Sequence, residues 1–227
     1  QPLVTVLRDD DEGARRAAVE VLNEIGTPQH VKFLLQSIKD DDWWVRSRAA
    51  DALAKIGGPR VIEASLELIR DKDEDIRRAA IEILNQTKDE RAVGYLVEAT
   101  HDPDWWVRER AVDALAEIGS RAALPALLGM LDKGDDRSLP TVVRAMGKLG
   151  DPSHITRLLP LLDNATKEVR LEVITALTRL ADDRSADGVR ARLEDVGASG
   201  ADPTVSHAAL RAVEDLDSRF SSGAVAV

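Results

Sequence analysis

Cysteine is absent from the chain, so it can form no disulfide, no thiolate metal site and no cysteine nucleophile. A reducing cytoplasm is the compartment that fits. Aromatic residues are nearly as scarce, with four Trp, two Phe and one Tyr among 227 residues, so any place where they cluster carries information. No stretch approaches the roughly 18 apolar residues of a membrane span, and no signal-peptide pattern opens the chain. An excess of positive charge is missing too. Lys and Arg number 31 against 41 Asp and Glu, a net charge of -10, which disfavours a phosphate backbone or an anionic membrane as partner. The histidines His30, His101, His154 and His207 are far apart, with no metal-ligand spacing and no pairing with a nucleophile. No glycine-rich phosphate loop is present. The expectation is therefore a chain with no metal, no cofactor and no catalytic residue. Because it begins with Gln1 and not Met, at the start of a helical pattern, it is read as a piece of a longer protein.

What is present is repetition. The stretch 42–57, Asp-Trp-Trp-Val-Arg-Ser-Arg-Ala-Ala-Asp-Ala-Leu-Ala-Lys-Ile-Gly, returns almost letter for letter at 104–119, which is 62 residues later. Weaker copies begin at Asp11 and Asp73, so the underlying period is 31 residues. Leu22, Leu53, Leu84, Leu115, Met146 and Leu177 form one column at that spacing. Ala18, Ala49, Ala80, Ala111, Val142 and Val173 form a second, four residues earlier, and Ile25, Ile56, Thr87, Ile118, Leu149 and Leu180 a third. Within one repeat these are positions i, i+4 and i+7, the buried stripe of an amphipathic helix, here called helix B. A second apolar set about nine residues later, beginning Val31, Leu34, Leu35 and Ile38, marks a helix A.

The helix ends follow the same period. Asp11, Asp42, Asp73, Asp104 and Asp135 fall at the N-cap of helix B, where a carboxylate accepts from unpaired N–H groups. Gly26, Gly57, Gly119 and Gly150 fall where a left-handed C-cap favours glycine. Pro28, Pro59 and Pro152 suit the first turn of helix A. No strand alternation occurs, and one α-hairpin cannot bury its own face, so neighbours must stack. The fold class expected is all-α, a solenoid of about seven hairpins. Helix B is placed at 12–25, 43–56, 74–87, 105–118, 136–149, 167–180 and 204–218, in one domain over 1–220 with a tail at 221–227. Leu139 and Pro140 erode repeat five, and an insertion around Gly197-Ala198-Ser199-Gly200-Ala201 precedes a seventh repeat, read as frayed near Leu216.

The pattern Leu-x-Asp-x-Asp-x-x-Val-Arg-x-x-Ala-x-x-Ala-Leu-x-x-Ile-Gly, legible at 38–57, 69–84 and 100–119, resembles the short HEAT-like repeats named after phycobilisome lyases. The resemblance covers nearly the whole chain and is specific for architecture more than for function. It implies a right-handed superhelix with helix B on the concave side. It also implies an Asp/Arg ladder, placed on Arg15, Arg46, Arg77, Arg108 and Arg170 with Asp9, Asp40, Asp71 and Asp102, and broken at Leu139.

Departures from the repeat average point to function. The columns through Trp43 (Glu12, Glu74, Trp105, Asp136, Lys167) and Trp44 (Gly13, Asp75, Trp106, Arg137, Glu168) are polar in every other repeat, so both are expected to face water. Each Trp-bearing repeat also carries an arginine, Arg48 or Arg110, four residues after Trp44 or Trp106 and within cation–π reach. Exposed Trp with Arg is the composition of interface hot spots, so Trp43, Trp44, Arg48, Trp105, Trp106 and Arg110 are the candidate partner-binding residues. Duplication of an unimportant turn is the structural alternative. The function expected is a non-catalytic protein-interaction scaffold, monomeric, with a protein or peptide partner and neither nucleic acid nor membrane. Three alternatives stand beside it. A glycosylase-like enzyme wants a basic groove, and a lyase-associated one wants a bilin or its carrier. A designed array is favoured by the constant period and opposed by the eroded repeats.

Overall fold

A computed structural model describes residues 2–133, 137–164 and 166–220, and among them there is no strand. Asp135, Asp136 and the tail at 221–227, for which the sequence makes an N-cap, a surface position and a linker, lie outside the described residues. The chain divides into two compact units, Gln1–Ile118 and Gly119–Val227.

The first unit holds α1 (Pro2–Val6), α2 (Glu12–Ile25), α3 (Val31–Ser37), α4 (Trp43–Ile56), α5 (Pro59–Leu68), α6 (Glu74–Thr87), α7 (Val93–Ala99) and α8 (Trp105–Ile118). The helix-B elements pack in sequence order, α2 on α4, α4 on α6 and α6 on α8, and the short helix-A elements α3, α5 and α7 cover their other side. The second unit holds α9 (Leu124–Lys133), α10 (Leu139–Leu149), α11 (Ile155–Leu158), α12 (Lys167–Leu180), α13 (Ala186–Ser199) and α14 (Pro203–Phe220), with α10 on α12 and α12 on α14. The chain is an all-α solenoid of stacked hairpins.

The two inner columns make the core. Leu22, Leu53, Leu84, Leu115, Met146 and Leu177 are all fully buried, and no residue of the Ala18 column exceeds 1% exposure. The third column is less buried: Ile56, Thr87 and Ile118 are half-buried, and only Leu149 and Leu180 are buried. Its first member, Ile25, is 62% exposed. Leu216 also departs from expectation. It is fully buried, on the longest helix of the chain, so the seventh repeat is packed and not frayed.

Side-chain caps form where the aspartates predict them: Asp11 accepts from Ala14 N at 2.7 Å, Asp42 from Trp44 N at 3.0 Å, Asp73 from Asp75 N at 2.9 Å and Asp104 from Val107 N at 3.0 Å. The glycine column splits. Gly57 and Gly119 are left-handed, with φ of 58° and 80°, whereas Gly26 and Gly150 are not. At those two a Cβ would lie 2.4 Å from Leu22 O and 2.6 Å from Met146 O, so glycine answers crowding there and not handedness. Pro28 and Pro152 open 3-10 turns whose third residues, His30 and His154, accept through Nδ1 from the backbone N–H of Thr27 and Asp151. In repeat five α10 begins at Leu139, which fills the core at 3% exposure where other repeats carry Arg, and Pro140 costs no helical bond in the first turn.

Candidate protein-binding groove on the helix-B face

Arginine forks tie successive repeats of the first unit together. Arg15 donates to both carboxylate oxygens of Asp40 (2.9 and 3.1 Å), and Arg77 does the same to Asp102 (2.8 and 2.9 Å). The remaining Nη1 of each ladder arginine, including Arg46 and Arg108, donates to two carbonyls of the turn before its own helix. Arg46 does not reach Asp71. Its Nη2 donates to Asp75 at 2.7 Å, while Asp71 accepts from Asp73 N and faces Lys39 at 3.7 Å. The cause is chemical: Asp75 stands in the column that Trp44 and Trp106 occupy, and it offers a nearer carboxylate. In the second unit Arg170 keeps its column. There the carboxylate at the ladder spacing, Asp195, lies on the lengthened α13 beside Arg192 instead, at 3.7 Å.

A second arginine column was not singled out from sequence. Arg16 donates to Asp42 at 2.6 and 3.1 Å, and Arg78 donates to Asp104 at 3.2 and 2.5 Å. Both acceptors are the N-cap residues of the next helix B and are buried, at 8% and 9% exposure. The guanidinium bonds, aided by the cap N–H groups, hold the Asp42 and Asp104 carboxyls below the usual carboxylate range. The signal was in the sequence as the doublets Arg15-Arg16 and Arg77-Arg78, which alternate with the two Trp-bearing repeats.

The six candidate residues separate into three environments. Trp43 is 66% exposed. Trp44, Trp105 and Trp106 are half-buried, so among the tryptophans the expectation that both columns face water holds for Trp43 alone, while Glu12, Gly13, Glu74, Lys167 and Glu168 are exposed as expected. Trp44 packs against the core of the first unit. The two cation–π pairs form at matching distances, Arg48 over Trp44 at 5.1 Å and Arg110 over Trp106 at 5.2 Å. Each arginine also crosses to the preceding helix B, Arg48 to Glu20 at 3.2 Å and Arg110 to Glu82 at 3.8 Å.

Three of these residues line a groove. A cavity of about 460 Å³ is lined by residues of α4, α6 and α8, among them Trp43 of α4 and Trp106 and Arg110 of α8. Ser47, Ala50, Asp75, Ala79 and Glu82 also line it, together with Arg46 and Arg78. Trp44, Arg48 and Trp105 do not line it. The groove exists because the middle repeat has Glu74 and Asp75 where its neighbours have tryptophan pairs. Among the described residues no group of three His, Asp or Glu side chains is placed to hold a metal, and no helix is long and apolar enough to cross a membrane.

A sequence model of HEAT repeats matches residues 1–64 and 62–139, together more than half of the chain. No curated protein matches. Among solved structures, the karyopherin Kap121p bound to Pho4p has a similar fold over 96% of this chain and 29% of its own, at a TM-score of 0.75 and 14% identity. The complex of CpcE and CpcF of phycocyanin lyase from Nostoc sp. is similar over 95% of this chain and 92% of that one, at 0.54 and 20%. An engineered protein is similar over 96% of this chain and 68% of its own, at 0.59 and 24%.

Proposed function

This chain belongs to the HEAT-repeat family, and on that premise we propose that it is a non-catalytic, cytoplasmic interaction scaffold or regulatory module. It holds an extended segment of a partner protein in the groove across α4, α6 and α8. The observation that carries this reading is that exposed Trp43 lines one cavity together with Trp106 and Arg110. Large, stiff aromatic rings supply contact area at little entropic cost, which is why such residues anchor protein interfaces. The two tryptophans belong to helices two repeats apart, and helix layers packed about 8–10 Å apart put them roughly 20 Å apart. That span suits an extended peptide better than an enclosed small molecule. In the structures above, Kap121p is bound to another protein and CpcE is in complex with CpcF, and both associations support the reading by analogy.

The test is selection of peptides from a displayed random library against the native chain. Clones recovered on it should lose binding to a Trp43→Ala, Trp106→Ala double variant whose far-ultraviolet dichroism is unchanged. Equal binding to both proteins would remove the groove from the account.

A further inference from the structure

The groove has a chemical asymmetry that deepens the scaffold reading and rests on it. At the junctions of repeats one with two and three with four, an arginine of one helix B reaches the N-cap aspartate of the next, Arg16 to Asp42 and Arg78 to Asp104. At the junction of repeats two and three the same column holds Ser47, too short to reach, and the N-cap aspartate is Asp73. Among the described residues the Asp73 carboxylate accepts only the N–H of Asp75, and the residue is exposed where Asp42 and Asp104 are buried. Four residues before Ser47 stands Trp43, 66% exposed, where Glu12 and Glu74 sit beside Arg16 and Arg78 and pair with them at 2.5 and 3.7 Å. A π face thus replaces a carboxylate on one side of that position, a carboxylate without an arginine partner remains on the other, and Ser47 and Asp75 between them line the groove.

We propose that an arginine side chain of the bound partner segment occupies the position at Ser47 that Arg16 and Arg78 occupy at the other two junctions, donating to the Asp73 carboxylate and stacking on the Trp43 ring. Guanidinium suits both contacts, since its planar fork matches a carboxylate and its face lies flat on an indole. The background charge agrees. Residues 1–118 carry 17 Lys and Arg against 25 Asp and Glu, a net -8 of the chain's -10, so this unit attracts a cationic segment.

The test uses the full chain and a fluorescein-labelled pentapeptide, Gly-Leu-Arg-Leu-Gly, read by anisotropy at low salt. A second peptide carries citrulline, which keeps the shape of arginine without its charge. The arginine peptide should bind at least tenfold tighter than the citrulline peptide. Asp73→Asn, which retains N-cap capacity, should abolish that preference. Ser47→Arg should restore the internal clasp, raising the unfolding midpoint by about 2–4 °C and weakening the arginine peptide at least tenfold. Equal binding of the two peptides, or no binding of either, overturns the arginine assignment. So does a Ser47→Arg protein with unchanged midpoint and unchanged affinity. If the peptides bind equally yet both are lost in Trp43→Ala, the arginine site fails while the groove stands. If Trp43→Ala also binds normally, both readings fail.

Discussion

Gly147 sits inside α10 and faces Ala176 of α12, where a Cβ would come within 2.9 Å of the Ala176 Cβ and 3.0 Å of its Cα. Carbon atoms rest about 3.5–4.0 Å apart, so Gly147→Ala requires the two helices to separate by roughly half an ångström or more. Nothing flexible is in the way to yield, because the obstacle is a methyl and the backbone carbon that bears it. Two effects then compete. Alanine is favoured over glycine in a helix interior by about 1 kcal/mol, while overpacking a close-packed core costs about 1–3 kcal/mol. The packing term wins or cancels, so the variant should be unchanged or destabilised by up to about 2 kcal/mol, with a midpoint lower by about 2–4 °C for each kcal/mol. Gly129, within α9 of the same unit, supplies the control. Nothing lies within 4 Å of its would-be Cβ, so Gly129→Ala should gain the propensity term alone and unfold at a higher temperature. The difference between the two variants in thermal or urea unfolding, followed by far-ultraviolet dichroism, isolates the packing cost. Equal stabilisation by both would refute close helix contact at Gly147.

Leu53→Ala and Leu216→Ala, both at fully buried positions, should each cost on the order of 2–5 kcal/mol in urea unfolding. A near-neutral Leu216→Ala would restore the frayed C-terminus. Acid titration should find stability intact above the ordinary carboxylate range and lost as pH falls below it. The Asp42 and Asp104 carboxyls are depressed, and that of Asp151, which accepts from Ser153 and Arg121, is lowered to about 2. Groups with folded pKa values below their unfolded ones stabilise the ionised state and lose that contribution as they protonate, in the window from about 4 down to 2. In Arg78→Ala the Asp104 carboxyl should titrate at higher pH than in the native chain, which NMR of the side-chain carbon can follow.

How much of this was legible follows from which interactions a period can encode. Leu22 through Leu177 recur every 31 residues because each must fill the same space between identical neighbours, so core columns, N-caps and helix bounds can be read by addition. The helix-B spans at 12–25, 43–56, 74–87, 105–118 and 167–180 coincide with the observed helices for the same reason. The period also locates departures from it, and the tryptophans were visible on that ground.

What a departure does depends on what lies beside it, and the sequence does not print neighbours. Trp43 and Trp44 are adjacent letters, yet one ring is free and the other packs against the core, since successive positions on a helix point about 100° apart. Gly26 and Gly57 share a column and serve different needs. The clasp of Arg16 on Asp42 spans 26 residues and needs the next repeat in place before it means anything. The sequence by itself determined the repeat, its helices and its buried columns, because these are local periodicity and burial. Only the tertiary structure decided which tryptophans line a groove and which aspartate lacks its arginine, because those are relations between side chains on three separate helices.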